Sequence, residues 1–466
     1  MKTIAVAFFA FFSITLFAQT NVSGGIFQNT TWSLSGSPYL VTSSIVVFPG
    51  KTLTIEPGVE VLVTPDYSFN TGNLRYIEIR GTLVAIGTEQ APITFKSAAN
   101  DTVGLFTWMG INIKGSQGGS VQMNRFKLFD SFYGLYNDIA EPGVAYNFTN
   151  CHFKNNNYGI QLNADMNYSN CLFENNGVGQ AAQIVYGSLT ANNCQFLNNF
   201  CSFTWSNNIQ VANCLFQGNG NNIVGSPGTV TDCQFIGNQF AFAEANGHNI
   251  QNCYFASNGV AVDNTGSCTI NNSIFENNNL AIRIGDNSTI TNCEITYNQI
   301  GIAVNASNPS TTNISDNIIC SNAQYNLENS TDKNFQVNAN CFCSQDSSVI
   351  ESFIFDGYDD ITRGLVNYAI YDDSCDNILS YVVKVLLDNS SIEELAESNA
   401  FQVISQNGTS VTFSAEKNLT IGLVNLSGQL LQTVELSQGK QEVHFPFTSG
   451  VYLITDFEGR STRILF

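Results

Sequence analysis

A cysteine, a phenylalanine two residues on and an asparagine three beyond that return about every twenty residues through the middle of this chain. A fixed period of that length is the mark of a solenoid, and it limits the fold more than any other feature. "NCHFKNNNYG" at 150, "NCLFENNGVG" at 170 and "NCQFLNNFCS" at 193 show the unit. The marker stands at Cys151, Cys171, Cys194, Cys214, Cys233, Cys253 and Cys293, with Ser273 in the gap and Asn317 next. Phe153, Phe173, Phe196, Phe216, Phe235, Phe255 and Phe275 follow their markers by two residues, then Ile295 and Ile319. A second apolar row, including Phe148, Tyr168, Val211, Ile250 and Ile314, precedes the markers by three. Alternation at these positions predicts short half-buried strands whose cysteine and phenylalanine rows face one side.

Five residues after the marker stand Asn156, Asn176, Asn199, Asn219, Asn238, Asn258, Asn278, Asn298 and Asn322, and a second row of asparagine or aspartate lies just before it. Asparagine tolerates left-handed backbone and bonds to nearby peptide groups, so both rows are expected at corners between strands. Stacked copies are also expected to bond to one another. Small residues such as Gly159, Gly179 and Ala241, followed by apolar ones such as Ile160 and Phe242, then begin another strand. Such a unit buries its apolar side only by stacking. The chain is therefore read as all-β: a parallel β-helix with about thirteen coils between roughly residues 40 and 345, on the order of 60 Å long at the strand spacing of ~4.8 Å.

Thirteen cysteines raise the question of disulfides. The seven markers are read as free thiols acting as small apolar core residues. Cys320, Cys341, Cys343 and Cys375 cluster near the end of the repeats and are the disulfide candidates, in a pairing the sequence leaves open. "CFC" lacks a neighbouring histidine and a usual zinc spacing, so neither metal nor cofactor is expected.

"MKTIAVAFFAFFSITLFAQT" reads as a secretory signal peptide over residues 1–18. No later apolar run reaches the roughly 18 residues of a membrane span. Lys+Arg 17 against Asp+Glu 37 gives a net charge of -20, which repels nucleic acid and anionic membranes. The expected product is exported, with an uncharged polar surface able to meet carbohydrate.

Residues 31–115 contain "TWSLSGSPYLVTSSIVVFPGKTLTIEPGVEVLV", "GTLVAIGTEQAPITFKS" and "TWMGINIKG". This wording resembles the opening module of bacterial right-handed parallel β-helix surface proteins of the pectin-lyase-like superfamily. Residues 334–370 resemble the turn that closes such helices, with Cys341, Phe342 and Cys343 where that family has an aromatic pair and glycine. The helix is accordingly assigned to residues 19–375 and a linker to 376–397. Over 398–466 the asparagines stop and alternating strands suggest a small β-sandwich with turns at Gly408, Gly428 and Gly439. This segment resembles the type A C-terminal sorting domain of type IX secretion cargo in Bacteroidota. The matching residues include Val424 to Gly428, Gly450, Val451, Tyr452, Gly459, Arg460 and Arg463. The resemblance implies export by that machinery to the cell surface or medium.

The superfamily includes polysaccharide lyases and hydrolases, so catalysis turns on residues. Cations are few along the repeats: Lys127, Lys154, Arg283 and Lys333, with His152 and His248. Asp263 and Arg283 both lie ten residues past their markers and are expected to stack on adjacent coils, with Asp286 close in sequence. They are weak catalytic candidates, since such a pair is more often a surface ion bridge. Lys154 beside Glu174 is read the same way, and the outward-facing Tyr254 is read as a packing residue, with stacking on a sugar as the alternative. The chain is thus expected to be a secreted, structural, adhesive or glycan-contacting protein without catalysis. The alternative is a polysaccharide lyase or glycosidase working at Asp263 and Arg283 or in a cleft among the loops of the first coils.

Overall fold

The computed structural model describes residues 19–465 except 67–73, 100–106, 142–143, 178–179, 184–186, 205, 226, 265, 372–374, 376–400, 408–409, 416, 426–429, 445–450 and 457–460. The expected signal peptide and linker, Gly179, Gly408, Gly428, Gly450, Gly459 and Arg460 lie outside the described residues. Contacts divide the chain into two compact units, residues 1–189 and 190–466. The protein is all-β, with a solenoid of about fourteen turns. No helix among the described residues is long and apolar enough to cross a membrane.

One coil of the second unit shows how the repeat folds. Its strands are Asn208–Ala212, Leu215–Gln217 and Asn221–Val224, a leading, a marker and a trailing face. Each pairs in parallel with its copy one coil on, matching Val211 to Val230, Phe216 to Phe235 and Ile223 to Phe242. Like therefore stacks on like. Phe216, Phe235, Phe255 and Phe275 are fully buried, and their rings lie parallel at 4.6, 4.9 and 4.5 Å.

Two bends close each coil. The residue before the marker is left-handed, as at Asn213 (φ 54), Asp232 (φ 55) and Asn252 (φ 54). The second left-handed residue is four past the marker, at Gly218, Gly237, Ser257 and Asn277. The asparagines five past it follow this residue at the corner and are not themselves left-handed. Their side chains do other work. Asn238 Nδ2 donates to Asn258 Oδ1 at 3.0 Å and to the Phe216 carbonyl at 3.0 Å, while its peptide N–H donates to the same Asn258 Oδ1 at 3.0 Å. The pattern runs from Asn199 to Asn322 in the second unit and appears in the first as Asn156 bonded to Asn176. Each amide thus satisfies polar groups that a tight corner turns into the core.

The cysteine column has a similar polar function. Cys194 N–H and Cys214 N–H each point at the next coil's thiol at 3.4 Å, and those thiols donate to carbonyls two residues back. Ser273 takes the same place for Cys253 N–H at 3.1 Å, and Asn317 for Cys293 N–H at 2.9 Å. A thiol, a hydroxyl and an amide are interchangeable there because each accepts this bond. Nine cysteines, all buried, are free. Burial pushes Cys214 and Cys233 well above the usual thiol range and Cys293 to about 12.

In the first unit Thr20–Ile26 already pairs with Tyr39–Val47, and in the second Phe335–Asn340 still pairs with Val366–Tyr371. The coils therefore begin before residue 40 and continue past 345. In the first coils the leading face is a separate parallel sheet of Thr30–Trp32, Thr52–Ile55, Thr82–Ile86 and Ser120–Asn124. Disulfides join Cys320 to Cys343 and Cys341 to Cys375.

Residues 401–465 form two antiparallel sheets. Phe401–Asn407, Ser410–Ala415 and Gly439–His444 make one, and Leu430–Leu436, Leu419–Asn425, Val451–Asp456 and Ser461–Leu465 the other. Val411, Phe413 and Val443 from the first meet Ile421, Leu423 and Leu436 from the second in one core. Gly439 (φ 109) opens its strand, Val451 and Tyr452 start theirs, and Arg463 pairs with Leu453 in the ladder.

Candidate functional site

The corner between the marker and trailing faces is where the coils of the first unit differ most. Elsewhere it takes five residues, as between Phe126–Phe129 and Leu135–Asn137. In two earlier coils it takes twelve, between Glu60–Val63 and Tyr76–Ile79 and between Ile93–Ser97 and Gly110–Ile113.

In the two coils that follow, the corner is aromatic. Tyr133 stacks on Tyr158 at 5.3 Å and 23°, with Tyr136 at 5.0 Å and Phe132 at 4.7 Å from Tyr133. All four rings are half-buried. The chain turns tightly beneath them at Gly134 (φ 58), where a Cβ would lie 1.8 Å from the Gly159 carbonyl oxygen.

The trailing face continues the patch. Glu78, Asn112, Tyr136 and Gln161 occupy matching places on successive strands. They alternate with the core residues Ile77, Ile79, Ile111, Ile113 and Leu135, so they lie on the outer side. Even so, Glu78 and Asn112 are each only 7% exposed. Arg80 Nε bonds Glu78 Oε1 at 2.5 Å, and Lys114 pairs with Asp138 at 3.8 Å. Burial, then the neighbouring Glu78, Tyr133 and Tyr76, push the Tyr136 phenol upward, so it is a neutral hydrogen-bonding group at physiological pH. Asn112 Oδ1 and Asn163 Oδ1 are buried and have no hydrogen-bond donor among the described residues.

The candidates singled out in the sequence fall elsewhere. In the second unit Arg283 Nη1 meets Asp263 Oδ2 at 2.9 Å, with side chains 39% and 21% exposed. Asp286 instead accepts from the Asn308 N–H at 2.6 Å. A half-exposed pair of this kind contributes about 0–1 kcal/mol. Tyr254 is not available to a ligand: it is 2% exposed, packed with Ala256 and Ile274, and its hydroxyl donates to Glu276. Its position is on the outer side of the sheet, but its neighbours bury the ring.

Lys154 belongs to a triad. Glu174 accepts from Lys154 Nζ at 2.9 Å and from His152 Nε2 at 3.1 Å. The His152 bond, then Lys154, hold the Glu174 carboxyl at about 2 against the opposing effect of burial, while burial holds His152 below its ordinary value. Both shifts have one sign. Unfolding raises both affinities for protons, so stability is full at neutral pH and falls as pH drops from ~6.5 through ~4.5 toward 2. Glu174→Gln is expected to remove on the order of 1 kcal/mol of this pH dependence, after discounting for solvent exposure. Urea midpoints of both proteins at pH 7 and pH 3 measure it; equal pH slopes would exclude the triad as a contributor.

The aromatic corner escaped sequence reasoning because its coil lacks the marker. Phe126, Leu128 and Ser131 stand where later coils have cysteine, phenylalanine and asparagine, and Asn156 Oδ1 accepts from Ser131 N–H at 3.0 Å. The dense ring content of "DSFYGLYND" was the available signal.

No known family profile matches the chain. A stretch of 84 residues, 18% of the chain, is 39% identical to "Protein bark beetle" of Drosophila melanogaster, and that match spans only 2% of the fly protein. Among solved structures, the chain is similar to the periplasmic alginate epimerase AlgG, with a TM-score of 0.36, 11% identity and coverage of 68% of this chain and 84% of that one. It is also similar to a mannuronic acid specific polysaccharide family 6 lyase from human gut microbiota, with a TM-score of 0.29, 10% identity and coverage of 72% and 90%. A third is the Siphovirus 9NA tailspike receptor binding domain, with a TM-score of 0.22, 8% identity and coverage of 96% and 95%.

Proposed function

We propose that this protein is a secreted, surface-displayed β-helix that binds carbohydrate at the aromatic corner of its first unit without cleaving it. The observation that carries the reading is the Tyr133–Tyr158 stack beside a buried polar row on the outer side of the sheet. Aromatic faces take the apolar side of a sugar ring, and a few convergent polar groups fix its orientation. The test is a glycan array together with a depolymerisation assay on polyuronates and neutral polysaccharides, using the mature chain. Tyr133→Ala and Tyr158→Ala are expected to weaken binding at least ~10-fold, about 1.4 kcal/mol. Unchanged binding would remove the site from the corner, and chain cleavage would overturn the non-catalytic reading.

Export rests on the resemblance of residues 398–466 to a type IX sorting domain and on the apolar N-terminal segment. The sorting machinery is the partner this implies. Deleting residues 398–466 is expected to trap the protein in the periplasm; normal arrival at the surface would defeat the assignment.

A further inference from the structure

We infer that the aromatic corner takes an uncharged oligosaccharide, held by its hydroxyls and laid along the stack of strands. This rests on the carbohydrate-binding reading above and adds the ligand's charge and direction.

The charge follows from how the cations are used. Arg80 is on Glu78 and Lys114 is on Asp138. Arg75 directs Nε to the Thr42 carbonyl and Nη1 to those of Thr64 and Pro65. Glu141 Oε2 accepts from Asn137 and Tyr146 and brings a further negative charge. Each described cation of this face is therefore matched by a carboxylate or engaged by carbonyls. A uronate would have to displace one of these partners, and beside Glu78 it would place two carboxylates about one strand spacing apart, roughly 5 Å.

The polar demand of the site calls for hydroxyls. Asn112 is more than nine-tenths buried, and its Oδ1 has no donor among the described residues. An amide oxygen accepts only, so it requires an O–H or N–H. A sugar hydroxyl both donates and accepts and would serve either end of the amide, and a ligand that supplies one relieves the cost of leaving the buried acceptor unpaired.

The direction comes from the second atom of this kind. Asn163 Oδ1 is also buried with no donor among the described residues. It stands two residues past Gln161, the end of its strand; Gln161 pairs with Tyr136, which pairs with Asn112, so the two amides are two strand spacings apart along the stack and two residues apart across it, roughly 12 Å. One sugar ring does not bridge that separation, but a short chain does. Tyr136 lies between the two amides as a neutral phenol.

Calorimetric titration of the full mature chain tests this with neutral oligosaccharides of increasing length, such as xylo-, manno- and cello-oligomers, and with galacturonate and mannuronate oligomers of matching length. A neutral series is expected to bind at least ~10-fold more tightly than any matched uronate. Asn112→Ala is expected to weaken that series ~10-fold, and Asn163→Ala to abolish the gain in affinity with length. Uronates binding as tightly as neutral oligomers would overturn the inference while leaving carbohydrate binding in place, provided Tyr133→Ala still weakens it. An Asn112→Ala protein that folds and binds as before would overturn the inference in the same way. Failure of every oligomer to bind would overturn the carbohydrate reading itself. The neutral-against-uronate comparison needs no variant, so it decides even where Asn112→Ala fails to fold.

Discussion

Asn258→Ala is expected to lower the unfolding free energy by about 4 kcal/mol, a large share of the 5–15 kcal/mol of an ordinary domain. Asn258 is 2% exposed, and its Oδ1 accepts from both the peptide N–H and Nδ2 of Asn238 at 3.0 Å. Its Nδ2 serves the Phe235 carbonyl at 3.0 Å and Asn278 Oδ1 at 2.9 Å. Truncation leaves two donors and one carbonyl buried without partners, each costing ~1–3 kcal/mol. Water cannot repair this cheaply, because the corner lies against a filled core. The neighbouring Asn279 is exposed, and Asn279→Ala is expected to change stability by less than ~0.5 kcal/mol. Urea unfolding followed by circular dichroism compares the two. Equal costs would mean that the buried column does not support the stack.

That contrast also shows how far the sequence could be read. The period, the three strands per coil and the inward phenylalanines follow from spacing, since a column of identical residues every twenty positions stacks only in register. The separate roles of the asparagines do not follow. Left-handed backbone and a buried bridging amide favour the same residue type, and only coordinates assign the first to positions such as Asn252 and Asn277 and the second to Asn258. The marker cysteines are free and buried as expected, but their second role was hidden for a related reason. Burial suggests an apolar role, but the column also contains Ser273 and Asn317, and their common property is an acceptor for the preceding coil's N–H. Tyr254 and Tyr136 mark the limit. Both lie on the outer side of a strand, and only packing decides that one is sealed against Ala256 and Ile274 while the other joins a half-buried cluster.

Phe235→Ala is expected to cost near the upper end of the usual 3–5 kcal/mol for removing a buried aromatic ring. Phe235 is fully buried between Phe216 at 4.6 Å and Phe255 at 4.9 Å, with interplanar angles of 2° and 5°. How much of a cavity penalty is paid depends on whether the walls can move in. Here they cannot move far. The flanking strands are held at the spacing of parallel hydrogen bonds, matching Phe235 to Phe216 on one side and Phe255 on the other, and the asparagine column fixes the adjoining corner. Two stacked contacts, ~0.5–1.5 kcal/mol each, are lost with the ring. Phe235→Leu should cost less, about 1–2 kcal/mol, because Ile295 and Ile319 already occupy this column farther along and show that an aliphatic side chain fits. In a solenoid each coil contacts mainly its neighbours, so the damage should be local. Hydrogen exchange is expected to accelerate in the coils carrying Phe216, Phe235 and Phe255 and to stay near the wild-type rate around Ile319. Uniform acceleration throughout the second unit would instead mean that its coils unfold as one cooperative block, and a total cost below ~1.5 kcal/mol would mean that the stack collapses onto the gap.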